Sequence, residues 1–377
     1  MIFLDNASST KTDIKVWNIV LENSNQYGNP SSYHDIGKKS QNLISKSRET
    51  TASYINAKPN EIIFTSSGTE SNNLGIIGYA LANANKGNHI ISTVIEHISV
   101  LNPLKYLQRL GFEITLLKVD NKGYIDIHDF KKSIRKDTIL ISIIHANNEI
   151  GTIQDIQSIG EIAKEKDIVF HTDSVAAIGH IDIDVNKQNI AMLSLSGHKF
   201  HSIKGIGVLY VKEKVKLQPL IYGAGQNFGL NSGTENVYGV IAMRKAIELL
   251  VNDENKQNHI NILNLKKRLI EGLKRTITDI AFNGDIENGL NNIINVSFNG
   301  VSGYDVVMEL NKHDICCSQG SAVKGLKENG SHVIKAISNE KRAFEAVRIS
   351  LSKFNTIEEI DILINILPDI IKELRGI

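Results

Sequence analysis

The chain has 377 residues, 41% of them hydrophobic, and its 42 Lys and Arg against 41 Asp and Glu give a formal net charge of +1. That length and apolar content support a sizeable core and suggest two domains. The scattered, balanced charge excludes a general field for nucleic acid or an anionic membrane, and no apolar run approaches the length of a membrane span.

The start, Met1-Ile-Phe-Leu-Asp-Asn6, has neither the basic flank nor the long apolar stretch of a signal peptide. Residues 61–65 read as a strand and 69–84 as a helix. A strand at 89–93 and a helix at 99–110 follow, then a strand at 112–117. Residues 138–144 form a continuous β-branched run, as expected of a strand buried on both faces. A helix at 156–166 leads to strands at 168–171, 192–195 and 207–211. Such alternation predicts an α/β domain around a mostly parallel sheet, with ligands collecting at the carboxyl ends of its strands.

From about residue 250 the pattern changes. A charged helix at 258–276 precedes a strand at 293–298, a helix at 304–312 and a strand at 346–350. The last helix opens with a capping box, Thr356-Ile-Glu-Glu359, and carries the apolar stripe Ile360, Leu363, Ile366, Leu367, Ile370 and Leu374. A smaller α+β domain is expected here, joined by the N-terminal residues. The two cysteines, Cys316 and Cys317, are adjacent, which speaks against a disulfide between them and against a secreted, stapled protein. No metal-type cysteine spacing exists. His198 and His201 lack an evident third ligand, so no metal is expected. A cytoplasmic location is the simplest expectation.

The candidate chemistry falls at the strand ends. Ser196-Gly-His-Lys199 places a lysine between an apolar run and a glycine-containing turn, where it could lose its proton and form a Schiff base with an aldehyde, or simply be a solvated strand end. Ser66-Ser-Gly-Thr-Glu70 lies between a strand and a helix and could bind phosphate or serve as an ordinary N-cap. His171-Thr-Asp173 offers a carboxylate for a protonated ring nitrogen, or a cap or ion pair. Glu96-His97 offers a histidine that could stack on a planar ring or move protons, or one at the surface. Asn147-Asn-Glu-Ile-Gly151 could be a simple turn. A phosphate cradle, a ring-facing histidine, an aspartate and a reactive lysine together are what pyridoxal phosphate requires of a protein.

With these motifs the chain resembles the cysteine desulfurases, in the class V branch of the fold-type I pyridoxal-phosphate enzymes. The resemblance runs through Leu4-Asp-Asn-Ala-Ser-Ser-Thr10, Tyr27-Gly-Asn-Pro-Ser-Ser32 with His34, Thr69-Glu-Ser-Asn-Asn73, Glu96-His97 and Asn147-Asn-Glu-Ile-Gly151. It continues in Ser196-Gly-His-Lys199, Lys204-Gly-Ile-Gly207, Ser232-Gly-Thr-Glu-Asn236 and Arg348-Ile-Ser350. It implies a large cofactor-binding α/β domain at 15–250 with a mostly parallel seven-stranded sheet, and a small α+β domain formed by 1–14 and 251–377.

The resemblance also implies roles. Lys199 holds the cofactor and is catalytic, with His97 stacking on the ring and serving in proton transfer. Asp173 pairs with the pyridine nitrogen. Gly68, Thr69, Ser196 and His198 bind the phosphate. Thr234 reaches the phosphate in a partner subunit, which implies a homodimer. Asn148 contacts the cofactor or the bound amino acid, and Arg348 clamps the substrate carboxylate.

Three departures from the family pattern matter. The mobile loop, Ser-x-Gly-Ser-Ala-Cys in the family, reads Ser318-Gln-Gly-Ser-Ala-Val323, so the sulfur-attacking thiol is replaced by a valine. Ala176 stands where the family has a glutamine after Asp173. Asn231 stands where an arginine usually precedes Ser-Gly-Thr. The expectation is a pyridoxal-phosphate enzyme acting on a small α-amino acid without loop-cysteine persulfide chemistry. The alternatives are a divergent desulfurase that passes sulfur to a partner thiol or to Cys316 or Cys317, and a non-catalytic cofactor-binding scaffold.

Overall fold

The computed structural model describes residues 1–320 and 330–376. Val323 lies outside the described residues. The strands are β1 (Ile2–Phe3), β2 (Ile62–Thr65), β3 (His89–Thr93), β4 (Glu113–Leu117), β5 (Thr138–Ser142), β6 (Val169–Asp173), β7 (Met192–Ser196), β8 (Gly207–Val211), β9 (Ile280–Phe282), β10 (Ile293–Phe298), β11 (Ile315–Cys316) and β12 (Ala346–Ser350). A seven-stranded sheet in the order β2-β8-β7-β6-β5-β3-β4 forms the centre. Strand β8 runs against both neighbours, and every other pair is parallel. The fold is thus the expected α/β type. Strands β3, β5, β7 and β8 are buried along their whole length, which is why their sequences read as apolar runs rather than alternations.

Two differences from the sequence reading shape the site. Strand β6 continues to Asp173, so that carboxylate sits at the strand's last position. The helix expected at 69–84 is instead an α-helix Gly68–Asn73, a π-turn Leu74–Gly78 and a short helix Tyr79–Ala82. The wider turn brings its glycines close to their neighbours. A Cβ on Gly75 would come within 3.2 Å of Leu209, and one on Gly78 within 2.6 Å of the Gln218 carbonyl oxygen.

The helix Asp35–Tyr54 gave no periodic signal. Its inner face is built largely from Gly37, Ser40, Ser47 and Thr51, with Ile44 and Ala52 as its buried apolar members. Small polar residues let it pack closely on the helix Val237–Leu250 without an apolar stripe.

The C-terminal region has its own antiparallel sheet, β12-β10-β9, covered by the helices Asp253–Thr276 and Ile357–Arg375. The Thr356 capping box forms as the sequence predicts. Ile360, Leu363, Leu367 and Ile370 are buried, each worth about 1.5–3 kcal/mol on transfer from water, while Ile366 and Leu374 pack at the margin. The N-terminal residues join this region. Strand β1 pairs in parallel with β11, and Asp5 bridges to Ser350.

Candidate active site

A cavity of about 230 Å³ lies where β6 and β7 end, lined by Lys199, Asp173, His97, Arg348, Asn148 and His198 together with Gly68 and Thr69. The topology thus gathers most of the expected site residues from segments far apart in the chain. Ala7, Ser8, Ser67, Ser99, Ile144, Val175 and Ala176 complete the walls. Ala176 presents a methyl group where the family pattern has an amide.

Lys199 ends the single turn Gly197–Lys199 that follows β7 directly. Its Nζ donates to the carbonyl oxygens of Ala7 and Ser8, the latter at 3.0 Å. Burial, and next the Arg348 guanidinium, bring the amine down to about 8, against the opposing pull of Asp5 and Asp173. About a tenth of the amine is therefore neutral, and nucleophilic, at pH 7, rising to about half near pH 8.

Asp173 is buried, with Oδ1 accepting from the Val175 amide at 2.9 Å and Oδ2 from Asn72 Nδ2 at 2.7 Å. The same Asn72 Nδ2 lies 2.8 Å from Ser99 Oγ, which in turn lies 2.7 Å from His97 Nδ1. His97 is the N-cap of the helix Ile98–Arg109, its Nδ1 accepting from the Ser99 amide at 3.1 Å. Burial holds the His97 ring below its ordinary value, Asp173 pulls upward and Lys199 pushes down.

The opposite wall suits a phosphate. The first-turn amides of Gly68 and Thr69 have no acceptor within their helix. Ser196 Oγ and His198 Nδ1 are buried without a hydrogen-bond partner among the described residues. A Cβ at Gly68 would come within 2.7 Å of Val175 and 3.3 Å of Ser196, so only glycine fits between them. Unpartnered polar atoms beside a glycine at a helix start, facing a cavity with a depressed lysine, fit the expected cofactor.

Arg348 is 1% exposed. Its Nη2 donates to Asp5 Oδ1 at 2.8 Å and to Ser8 Oγ at 2.6 Å, and its Nη1 to the Asn148 carbonyl at 3.0 Å. Nε is buried and has no partner among the described residues, which leaves donor capacity for an incoming carboxylate. The Arg348 backbone also pairs with Ser318, the first residue of the loop motif.

Glu96 is fully buried behind His97. Its Oε1 accepts from Thr93 Oγ1 at 2.7 Å and from the Ile144 amide at 2.9 Å, while Oε2 has no partner among the described residues. Burial pushes its carboxyl up to about 8 from the usual 4.5. The folded state therefore holds a proton that the unfolded chain has lost. The stability this carboxyl contributes is complete below about 4.5 and is lost as pH rises through about 8. Glu96→Gln is expected to flatten that decline, and thermal melts of both proteins across this range will show it. Parallel declines would mean that Glu96 is not the group responsible.

Not every expected residue joins the cavity. Ser196 lies just beneath it, facing Gly68. Thr234 is exposed on the segment before the helix Val237–Leu250, away from this chain's own cavity. Cys316 and Cys317 do not line the cavity, and burial pushes the Cys317 thiol far up, leaving it inert as a nucleophile. Asn231, in the position of the missing arginine, donates to Glu70 at 2.6 Å. Sequence reasoning did not assign roles to Asn72, Ser99, Ala7 and Ser8. The first two carry no special spacing, and the last two meet Lys199 through backbone carbonyls that no side chain announces.

Comparison with known proteins agrees with this geometry. The family model described as aminotransferase class-V matches residues 2–363. The chain is 42% identical over 378 aligned residues to the cysteine desulfurase IscS of Clostridium botulinum, covering 99% of this chain and 95% of that protein. A solved NifS-like protein superposes with a TM-score of 0.93 at 34% identity, covering 99% of this chain and all (100%) of that one. The structure of SspA in complex with cysteine superposes with a TM-score of 0.83 at 36% identity, covering 94% of this chain and 100% of that chain.

Proposed function

The chain belongs to the aminotransferase class-V family, and we propose that it is a desulfurase-like enzyme that cleaves the carbon–sulfur bond of L-cysteine and delivers the sulfur to a thiol outside its own loop. It is a pyridoxal-phosphate-dependent enzyme of that family. The observation that carries the proposal is the cavity's retention of Lys199, Asp173 and Arg348 in a chain whose position 323 is valine. The likeness to cysteine desulfurases over nearly the whole length, and to a protein solved with cysteine bound, supports L-cysteine as substrate.

When bound, pyridoxal phosphate supplies an aldehyde that condenses with amines and a ring that accepts the electron pair released at the α-carbon. Gly68, Thr69, Ser196 and His198 hold its phosphate, and Asp173 keeps its ring nitrogen protonated. Lys199, neutral in part near pH 8, is the anchoring amine and afterwards the base that takes the α-proton at Nζ. Arg348 and Asn148 orient the amino acid, the former through its carboxylate. His97 lines the same cavity as Asp173 and Lys199.

The sulfur needs an acceptor. Cysteine and an external thiol give alanine and the thiol's persulfide, which balances atoms and electrons without an oxidant. A second reading is favoured by Val323: elimination, in which cysteine and water give pyruvate, ammonia and sulfide. Product analysis with and without added thiol separates the two. Alanine formed in step with persulfide supports the proposal, and pyruvate with free sulfide supports elimination. Full cofactor loading with no product from cysteine overturns both and leaves a cofactor-binding scaffold. Val323→Cys is expected to raise alanine formation without added thiol by at least about tenfold, with a persulfide at position 323 that an alkylating probe traps.

On this reading the cofactor-binding part spans 15–250, and 1–14 with 251–377 form the smaller part. The separation of the two largest apolar cores supports this division. A homodimer, with Thr234 reaching the partner's phosphate site, is part of the same proposal. It is supported by the exposure of Tyr27 (76%), Tyr33 (94%), Tyr222 (71%) and Phe228 (58%) on one subunit. No described helix is long and apolar enough to cross a membrane. A cytoplasmic location completes the proposal.

A further inference from the structure

The hydrogen-bond chain from Asp173 to His97 has a direction that the chemistry of its members dictates. A carboxylate oxygen can only accept, so Asn72 must turn its Nδ2, and not its Oδ1, toward Asp173 Oδ2 at 2.7 Å. That same nitrogen lies 2.8 Å from Ser99 Oγ, which therefore accepts there. The Ser99 hydroxyl proton is left for the other contact, His97 Nδ1 at 2.7 Å. The backbone amide of Ser99 also donates to this Nδ1, at 3.1 Å. Two donors aimed at one ring nitrogen leave no room for a proton on it. In the neutral ring the proton then sits on Nε2.

We propose that Asn72 and Ser99 are positioning residues that hold His97 as the neutral ring with its proton on Nε2, so that His97 meets the substrate as a hydrogen-bond donor and leaves α-proton removal to Lys199. Asn72 is fully buried and Ser99 nearly so, which suits a fixed polar relay rather than a solvated surface contact. Asn72 Oδ1 has no partner among the described residues, as expected when both acceptors claim the amide nitrogen. The charged and titratable groups around the ring are Asp173, Lys199, Glu149 and His332. Of these, Asp173 and Glu149 favour a charged ring. The two donors on Nδ1, burial, Lys199 and His332 oppose it. The relay also ties the carboxylate meant for the ring nitrogen to the histidine meant for the ring's face.

This inference rests on the reading of His97 as a residue of the cofactor site, but its test does not depend on turnover. Nitrogen-15 NMR of histidine-labelled full-length protein, with cofactor bound and stripped, reads the protonation of each ring nitrogen, with His97 assigned by its loss in His97→Asn. The expected result is an unprotonated Nδ1 and a protonated Nε2 in the wild type. Ser99→Ala and Asn72→Ala should each raise the His97 protonation constant roughly three- to tenfold, since each removes or frees one donor to Nδ1. Asn72→Ala also removes the donor to Asp173 Oδ2, so Ser99→Ala is the variant that isolates the hydroxyl. Ser99→Thr, which keeps the hydroxyl, should restore the wild-type constant. A proton on Nδ1 in the wild type overturns the proposal, as does a Ser99→Ala constant equal to that of the wild type. The wild-type measurement decides even where a variant fails to fold. An error in the cofactor assignment would appear separately, as failure to load pyridoxal phosphate.

Discussion

Lys199→Ala is expected to lower conversion of L-cysteine by at least about 10³- to 10⁴-fold, because one side chain supplies both the anchoring amine and the base. Its structural cost should be small. The ammonium is held in a site that disfavours its charge, as its fall to about 8 records, so removing it relieves a desolvation penalty while two carbonyls lose a donor. Melting temperature should therefore stay near the wild-type value while covalent attachment disappears. Borohydride reduction followed by mass spectrometry measures that attachment directly. In the wild type the rate of attachment should climb with pH toward about 8 and then level off, following the neutral amine. A Lys199→Ala protein that still holds cofactor covalently and turns over would place the anchor elsewhere.

Arg348→Ala should lower kcat/KM for cysteine at least about a hundredfold, mostly through KM, since a charge-assisted fork on the substrate carboxylate is lost. Arg348→Lys keeps the charge but not the fork and should recover only part of the loss. Both changes act on stability as well, because Asp5 depends on this guanidinium. Asp5 is 22% exposed, so water can take over part of the role and the loss should be about 1–3 kcal/mol rather than that of a fully buried pair. A second signature separates this from simple damage. Arg348 is one of the groups holding Lys199 down, so its removal should shift the attachment profile to higher pH. A profile that stays in place, with KM unchanged, would remove Arg348 from the site.

What could be read from the sequence, and what could not, follows from how each feature is encoded. Lys199, Asp173 and His97 were legible because each follows an apolar run, and parallel sheets put ligands where such runs end. The reversal of β8 was not, since an antiparallel neighbour buried on both faces has the same composition as a parallel one. The helix Asp35–Tyr54 hid because serine, threonine and glycine bury as well as apolar residues when the approach is close. The Asn72 relay hid for a different reason. It joins residues 72, 99 and 173, whose pairing exists only after the sheet has brought two helix starts and a strand end together. The departures at Val323, Ala176 and Asn231 were legible only against a family pattern. For Ala176 and Asn231 the structure adds a methyl in the cavity wall and a hydrogen bond to Glu70.

The placement of the first eight residues sets an order of events during synthesis. Ala7 and Ser8 supply the acceptors for Lys199, and Asp5 supplies the counter-charge for Arg348. These residues leave the ribosome well before their own backbone partners, Ile315, Cys316 and Ser350. The central sheet can assemble while translation proceeds, but the segment that supplies the lysine's acceptors gains its strand partners only when Ile315 to Ser350 are free to close on it. A nascent chain halted before Ser350 would carry a formed sheet and a lysine whose acceptor segment is tied through Thr10 to the turn that holds His198.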